Sequence, residues 1–322
     1  MKKRQRGFKK PKQKFFYKAD IFLSRIASVL KIPQSKVKGL LFQSNLYAIK
    51  FHSSEDIKTL KEFTKKKVGW SKNTYLINRE ELVKLKKARE YGKGIFYIQN
   101  LAEMIPAITL RPKASEKILD MYAGESTLHL SNLIGDSGEI VANVEENSIE
   151  TFEKILQKHK IRNTTVISKK GENLNQDYNE YFDKVLLNAP CSREGMVHFA
   201  QKRPLKNWSI QKTKALSKLQ KKLILVAFKS LKKGGALVYT TTTISPNENE
   251  SVVSHLLSVN NDAILEEIEL IQNNSFKDYK TFVKRGLKSW NNEEYHPYIT
   301  KTIRTIPGKT MFGIYVALIR KV

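Results

Sequence analysis

The stretch FDKVLLNAPCSREG, residues 182–195, decides the fold class of this chain. An acidic residue leads into an apolar run at residues 185–187, and the run is followed by Pro190, which cannot donate a hydrogen bond to a sheet. This pattern predicts a buried parallel strand that stops at a loop. In open α/β sheets, ligands bind outside the carboxyl ends of such strands. Cys191, the one cysteine of the chain, lies in this loop, so we interpret the loop as a functional site.

Strand-like and helical patterns alternate through the rest of the C-terminal two thirds. Helices are predicted at residues 126–134, 148–159 and 210–232, the last of them ending at Gly234-Gly235. Strands are predicted at residues 118–122, 140–144, 164–167, 184–187, 236–241, 264–271 and 313–318. Alternation of this kind predicts an α/β fold with a doubly wound, mostly parallel, seven-stranded sheet.

The N-terminal part is predicted to contain an arm and a small domain. Residues 1–18 carry nine Lys or Arg and no acid, which predicts a basic disordered arm. Residues 19–92 combine helical patterns with a strand-like alternation at residues 46–51, which predicts a small N-terminal α/β domain, interpreted as RNA-binding. Gly92 and Gly94 predict a boundary, so that residues 93–322 form the large domain.

Charge is the strongest compositional signal. The chain has 58 Lys and Arg against 31 acidic residues, a net charge of +27. An excess of this size indicates a polyanionic partner, and nucleic acid is the interpretation we favour. A Lys-rich proteome is the alternative explanation of the same numbers.

Several classes of protein are disfavoured by the sequence. No apolar run approaches the ~20 residues of a membrane span, and no apolar region follows the basic N-terminus as in a signal peptide. A single cysteine fits a reducing compartment, either the cytoplasm or an organelle matrix. The six His residues are scattered without metal-ligand spacing, so we expect no metal site.

Four motifs together resemble one family of enzymes. They are GIFYIQNLAEMIP at residues 94–106, ILDMYA at 118–123, LLNAPCSREG at 186–195 and LVYTTTTISPNENE at 237–250. The chain resembles the NOP/Sun (RsmB/NOP-type) family of RNA 5-methylcytosine methyltransferases, which use S-adenosylmethionine. The resemblance implies a class I, Rossmann-like methyltransferase domain and RNA as the partner, with rRNA or a ribosomal subunit favoured over tRNA.

The resemblance also implies which positions carry the chemistry. Methylation at C5 of a pyrimidine requires a nucleophile at C6 and an acid near N3. The family's nucleophilic cysteine aligns with Thr242, its product-releasing cysteine with Cys191, and its motif aspartate with Asn188. A hydroxyl is a far weaker nucleophile than a thiolate, and an amide cannot shuttle a proton. These departures predict a pseudoenzyme.

The implied cofactor positions depart from the family as well. The family loop Ala-Ala-Pro-Gly-Gly-Lys-Thr is matched here by a shorter segment that contains Ala123, Gly124 and Glu125. Glu145 is the candidate for the ribose hydroxyls, Glu172 for adenine, and Asn188 also borders the cofactor. For Glu145 and Glu172, solvated surface is an equally weighted alternative.

Two basic segments are candidate RNA contacts. One is Lys65, Lys66 and Lys67 beside Trp70, and the other is Lys202, Arg203, Lys206 and Trp208, where charge and an aromatic ring would combine phosphate contact with stacking. A solvated helix end is the alternative for the first. His198 is interpreted as a surface residue, and the acid-rich segment 248–250 as the cap of a following helix.

Two functions follow from this sequence. The first is a catalytically degenerate RNA-binding protein that acts on rRNA or in ribosome assembly. The second is an active rRNA or tRNA cytosine-C5 methyltransferase that uses Cys191 as its nucleophile. A protein scaffold that does not bind RNA is a third, weaker hypothesis.

Overall fold

In the described residues, the N-terminal part of the computed structural model contains four α-helices and a three-stranded sheet. The structure describes residues 11–43 and 46–322, with side chains from residue 17 onward. Its elements in this part are α1 (Pro11–Leu30), α2 (Gln34–Phe42), β1 (Tyr47–Phe51), β2 (Thr74–Ile77), α3 (Arg79–Lys87), α4 (Arg89–Gly92) and β3 (Phe96–Gln99).

The remaining elements form the large domain. They are α5 (Leu101–Leu110), β4 (Lys117–Met121), α6 (Glu125–Ile134), β5 (Glu139–Asn143), α7 (Ile149–Lys158), β6 (Thr164–Ile167), α8 (Leu174–Asp177), β7 (Phe182–Asn188), α9 (Ile210–Lys229), β8 (Leu231–Thr241), α10 (Glu250–Val259), β9 (Ala263–Glu266), β10 (Val283–Arg285), β11 (Ser289–Trp290), β12 (Glu293–Glu294), β13 (Ile303–Thr305) and β14 (Tyr315–Lys321).

One large sheet runs through this domain in the order β10-β13-β14-β8-β7-β4-β5-β6, with β9 paired to β14. Strands β6, β5, β4, β7 and β8 are parallel neighbours, whereas β14 is antiparallel to β8. The predicted α/β, doubly wound fold is therefore confirmed. The sheet has nine strands rather than the predicted seven, because the short strands β10 and β13 extend it beyond β14.

Apolar side chains from both faces of the sheet make the core. One face packs against α5, α6 and α7 through residues such as Ile105, Leu128 and Phe152. The other packs against α9 and α10 through residues such as Leu223 and Leu256. Because helices cover both faces, the central strands read as continuous apolar runs, as at residues 185–187.

The small sheet has the order β2-β1-β3, so its third strand lies beyond the predicted boundary at residue 92. Gly94 does not mark a linker. It has a φ of +67°, and a Cβ there would approach the carbonyl oxygen of Lys158 to 2.1 Å, so this glycine permits close packing on α7. The small sheet therefore ends at Gln99.

The N-terminal helices do not belong to the small sheet. Helix α1 packs against the large domain, where Phe22 meets the ring of Trp208 edge-on at 5.0 Å between centroids. Of the predicted disordered arm, residues 1–10 lie outside the described residues, and residues 11–18 are corrected to helix as the start of α1. Continuation of the α1 pattern into the basic segment explains the difference.

Two expected absences can be compared with the described part of the chain. Across residues 11–43 and 46–322, no helix has the length and apolarity that crossing a membrane requires. In the same residues, no three His, Cys, Asp or Glu side chains are grouped as metal ligands would be.

Candidate functional site

The carboxyl ends of the parallel strands meet at one edge of the sheet and form the candidate site. Strand β7 ends at Asn188 and β8 at Thr241, beside the start of α6. A cavity of about 360 Å³ opens between these ends and α5. Its lining consists of Gln99, Glu103, Pro106, Glu125, Ser126, Leu186, Asn188, Met196, Thr240, Thr242, Phe312 and Ile314.

The loop after β7 is fixed to the end of β8 by its backbone. The Ala189 N–H donates to the carbonyl of Thr240 at 3.0 Å, and the Gly195 N–H donates to the carbonyl of Thr242 at 3.0 Å. The Gly313 N–H donates in turn to the Gly195 carbonyl at 2.9 Å. A Cβ on Gly195 would lie 1.7 Å from the Gly313 oxygen, so only glycine fits this position.

Glu248 holds the same loop through its side chain. Its buried carboxylate accepts from the Ser192 N–H at 2.8 Å, from the Ser192 hydroxyl at 2.5 Å and from the Gln220 amide at 3.1 Å. Its backbone carbonyl accepts from the Tyr239 hydroxyl at 2.6 Å. Burial raises the pKa of Glu248 to about 7, although the hydrogen bonds from Ser192 oppose this rise.

The next two residues brace the end of β8. The Asn249 amide donates to the Thr243 carbonyl at 3.0 Å and accepts from the Thr241 hydroxyl at 2.6 Å. The buried carboxylate of Glu250 pairs with Arg304. The predicted position at the start of α10 is confirmed, because Asn249 is its N-cap residue and Glu250 lies in its first turn, but Asn249 makes no side-chain capping bond. Asn249 instead braces the end of β8, and Glu250 joins α10 to β13.

Cys191 and Thr242, both predicted as catalytic positions, face each other across this site. The Cys191 sulfur lies 3.3 Å from the Thr242 hydroxyl oxygen. Burial and the nearby Glu248 carboxylate raise the pKa of Cys191 to about 11. A raised pKa disfavours the thiolate, which is the nucleophilic form of cysteine.

Asn188, the third predicted catalytic position, borders the cavity at the end of β7. An amide there can hydrogen-bond the edge of a base but cannot transfer a proton. The structure thus brings Asn188, Cys191 and Thr242 together, with a hydroxyl and an amide where the resemblance expects the nucleophilic thiol and the motif carboxyl.

The loop after β4 is short, as predicted. Gly124 is the N-cap of α6, which begins at Glu125. The loop is supported from below by Asp120, which is fully buried and accepts from the hydroxyls of Ser126 at 2.9 Å and Thr127 at 2.7 Å. Burial raises the pKa of Asp120 to about 7.

The positions predicted for the ribose and adenine are separated by Tyr122. Glu145 and Glu172 are both exposed, and their charges add to burial in raising the pKa of Tyr122 to about 12. Tyr122 has a φ of +59°, and its hydroxyl lies 3.0 Å from the point where a Cβ on Gly171 would stand. The phenol therefore lies beside Gly171, at the end of the site where the family resemblance places the adenosine half of S-adenosylmethionine. Glu145 and Glu172, the predicted ribose and adenine contacts, are exposed at this end.

The predicted RNA contacts divide into exposed cations and buried aromatic rings. Lys65, Lys66 and Lys67 are exposed, as are Lys202, Arg203 and Lys206. Trp70 is only 7% exposed and packs on Phe276 at 5.2 Å, so the prediction of a stacking surface there is wrong.

Trp208 is likewise wrong as a predicted stacking residue. It is 5% exposed, packs on Phe22 and donates its indole N–H to the buried Glu194 carboxylate at 2.8 Å. A second cavity of about 460 Å³ lies beside it. Its lining includes Cys191 and the cations Arg193, Arg203, Lys206 and Lys212.

Three contributors to the site were missed from the sequence. Gln99 and Glu103 line the first cavity, and Arg25 of α1 reaches Glu194 at 3.5 Å and the Ser245 hydroxyl at 2.8 Å. Arg25 is separated from Ser245 by 220 residues, so no local pattern could reveal this contact. Gln99 and Glu103 lie inside the quoted 94–106 motif, which was the available signal.

The fold and the two strand-end loops define a class I methyltransferase scaffold. The family model described as 16S rRNA methyltransferase RsmB/F matches residues 107–320. The chain therefore belongs to this family of S-adenosylmethionine-dependent RNA cytosine-C5 methyltransferases, and the predicted resemblance is confirmed.

Two relatives show how far the similarity extends. The chain is 36% identical to the tRNA (cytosine(49)-C(5))-methyltransferase of Pyrococcus abyssi, over 83% of this chain and 84% of that protein. It is 35% identical to the ribosomal RNA small subunit methyltransferase F of Vibrio cholerae, over 63% of this chain. The chain matches only 44% of the length of that bacterial relative.

Solved structures agree on the fold. A methyltransferase homolog protein from Pyrococcus horikoshii superposes with a TM-score of 0.73 and 26% identity, covering 92% of this chain and 90% of that one. The structure of NSun6 from the same organism with SFG has a TM-score of 0.69, covering 94% and 97% of the two chains, and at 20% identity supports the fold alone.

The buried Asp120 carboxyl gives a pH-dependent prediction. Its raised pKa means that, between about pH 4 and 7, the native state holds a proton that the unfolded state has released. Stability therefore falls as the pH rises through this range. Asp120→Asn keeps an acceptor for both hydroxyls but cannot titrate. The free energy of unfolding of the variant minus that of wild type should therefore rise by roughly 1–4 kcal/mol when the pH is raised from 4.5 to 7.5.

Urea unfolding of both proteins at the two pH values measures this change. Asp136→Asn, at an exposed position, is the control and should leave the difference between pH values as in wild type. A stability difference for Asp120→Asn that is equal at both pH values would contradict the assignment of a buried, protonated carboxyl.

Proposed function

We propose that this chain binds RNA through the family scaffold and has lost methyl transfer. The observation that carries the proposal is the pair at the centre of the site: the Thr242 hydroxyl stands at the nucleophile position, 3.3 Å from the Cys191 thiol, whose pKa is raised. Asn188 replaces the motif aspartate beside them. With these three groups, the adduct at C6 of a cytosine has neither a competent nucleophile nor a proton donor.

Charge supports RNA as the partner. The cavity beside Cys191 is lined by Arg193, Arg203, Lys206 and Lys212, and all four are exposed cations suited to phosphate. The net charge of +27 adds a long-range attraction. The small sheet, with Lys65, Lys66 and Lys67 exposed, is proposed as a further contact surface.

The class of RNA belongs to the proposal as well. We favour rRNA, in ribosome assembly, because the Pro-Cys-Ser-x-Glu-Gly form of residues 190–195 resembles rRNA-modifying members of the family. The Pyrococcus abyssi relative, which is matched over most of both chains, is a tRNA methyltransferase. Transfer RNA is therefore the alternative to rRNA. Affinity for rRNA fragments compared with tRNA transcripts decides between the two.

The second candidate is an active cytosine-C5 methyltransferase with Cys191 as nucleophile. One observation favours it: Cys191 lines the basic cavity and is therefore reachable from the surface that RNA would contact. Against it stand the raised pKa of the thiol and the amide at Asn188. A neighbouring cation would have to lower that pKa by several units before the thiolate formed at neutral pH.

The basic cavity gives the first prediction about RNA. Arg203→Ala with Lys206→Ala removes two exposed cations, so RNA affinity should fall. The slope of log K against log salt is negative, and its magnitude should become smaller by about 2. Fluorescence anisotropy at several salt concentrations measures both. Lys229→Ala with Lys233→Ala removes the same charge from exposed positions at the opposite edge of the large sheet, where α9 ends and β8 begins, and serves as the matched control. Equal slopes for the two double variants would contradict a cavity-centred interface.

A trapping experiment tests the loss of chemistry. RNA that contains 5-fluorocytosine holds the covalent adduct of an active enzyme, because the fluorine blocks its release. We expect no adduct with the wild-type protein and S-adenosylmethionine, while an active family member trapped under the same conditions is the positive control. A wild-type adduct that disappears in Cys191→Ala would overturn the proposal and establish the second candidate.

A further inference from the structure

An exposed aromatic ring lies at the end of α2, beside the segment that follows the Cys191 loop. Phe42 is the last residue of this helix and is 48% exposed. It stacks on Phe199, with the ring centroids 5.5 Å apart and the two planes 21° from parallel. One face of the Phe42 ring is thus covered by protein, while nearly half of the residue is open. Single exposed apolar residues are common, so the surroundings of the ring decide whether it has a function.

The exposed ring rests on a fixed aromatic base. Phe199 also contacts Phe22 at 6.2 Å between centroids, and Phe22 in turn meets the buried Trp208 ring. The backbone fixes the same contact, because the Phe199 N–H donates to the Leu41 carbonyl at 3.0 Å. The ring at the end of α2 is therefore the outer layer of a packed stack. A ring held in this way loses little freedom when a ligand binds to it.

The helix face beside the ring is left open. Gly39 precedes Phe42 by three residues, which places both on one face of α2. A Cβ added at Gly39 would meet no heavy atom within 4 Å, so the contacts of the protein do not require glycine here. Glycine inside a helix is less stable than alanine. The missing side chain provides space in which a planar group on the ring can extend over the helix.

The charges around the ring indicate which planar group it suits. Lys38 is exposed and precedes Phe42 by four residues, on the same face of α2. Lys202 and Arg203 follow Phe199 by three and four residues and are also exposed. Helix α2 contains no acidic residue. An open aromatic ring bordered by cations is the arrangement that binds a nucleobase by stacking and its phosphates by charge. An apolar protein partner would not account for the cations.

We propose that Phe42 stacks with an unpaired base of the bound RNA, over the open face at Gly39, while Lys38 contacts a neighbouring phosphate. The sequence suggested this role for Trp70 and Trp208, both of which are buried. The inference rests on the RNA binding proposed above and adds a stacking site next to the basic cavity. A base can stack there only when it is free of a duplex, so the site favours single-stranded or looped RNA.

Fluorescence anisotropy with a labelled single-stranded RNA, at several salt concentrations, tests this site. Phe42→Leu keeps an apolar side chain without the ring, and its RNA affinity should fall by about fivefold to a hundredfold. Stacking neutralises no phosphate, so the slope of log K against log salt should remain that of wild type. Phe42→Trp retains a ring and should bind as wild type does. Lys38→Ala should instead make the magnitude of the slope smaller by about 1.

Two further variants separate stacking from stability. Gly39→Gln places a better helix former in the open face, so the melting temperature should not fall whereas RNA affinity should. Tyr298→Leu is the matched control, because it removes a ring that is 60% exposed and lies beside Lys301. Lys301 donates to the Leu265 carbonyl of β9, at the edge of the sheet opposite the strand-end site. This variant should bind RNA as wild type does.

The possible failures are distinguishable. Wild-type affinity in both Phe42→Leu and Gly39→Gln would overturn the stacking site and leave RNA binding at the basic cavity intact. A loss that also occurs in Phe42→Trp, or that comes with a smaller salt slope, would contradict stacking as well. Unchanged RNA affinity with altered self-association of Phe42→Leu would make the ring a protein contact instead. No RNA binding by the wild-type protein would overturn the proposed function itself.

Discussion

The hydrogen bonds between the buried Glu248 carboxylate and Ser192 are the interaction on which the site depends. Ser192 belongs to the loop after β7, whereas Glu248 lies in the segment that follows β8, so one carboxylate joins the two strand-end loops. Asn249 and Glu250 extend this connection to the end of β8 and to Arg304. Buried polar groups of this kind are costly unless they are fully paired, which makes the loop geometry specific.

This network explains how the scaffold can persist while the chemistry changes. The shape of the loop depends on Gly195, Ser192 and Glu248, none of which reacts with a substrate in the family's mechanism as the resemblance implies it. Thr242, at a reacting position, takes part in these contacts through its backbone carbonyl, which a change of side chain leaves in place. Substitutions there alter reactivity and leave the fold intact, so fold similarity and loss of activity are compatible.

The sheet and the central loop could be predicted because their signals are local. Continuous apolar runs followed by Pro or Gly mark buried parallel strands and their ends. The burial of Trp70 and Trp208 could not be predicted from local signals, because their partners Phe276 and Phe22 are distant in the chain. The bracing contacts of segment 248–250 were missed because acids at the start of a helix have the same local pattern whether or not they also brace a loop. Tyr122 lay inside a quoted motif, but the sequence could not show that its hydroxyl lies close to Gly171.

The central claim is that the site retains its geometry without transferring methyl groups. The most direct measurement incubates the purified protein with methyl-labelled S-adenosylmethionine and unmodified rRNA and tRNA transcripts. The account predicts that label in cytosine will not exceed that obtained with the Cys191→Ala protein. Label at C5 of cytosine with wild type that is absent with Cys191→Ala would contradict it.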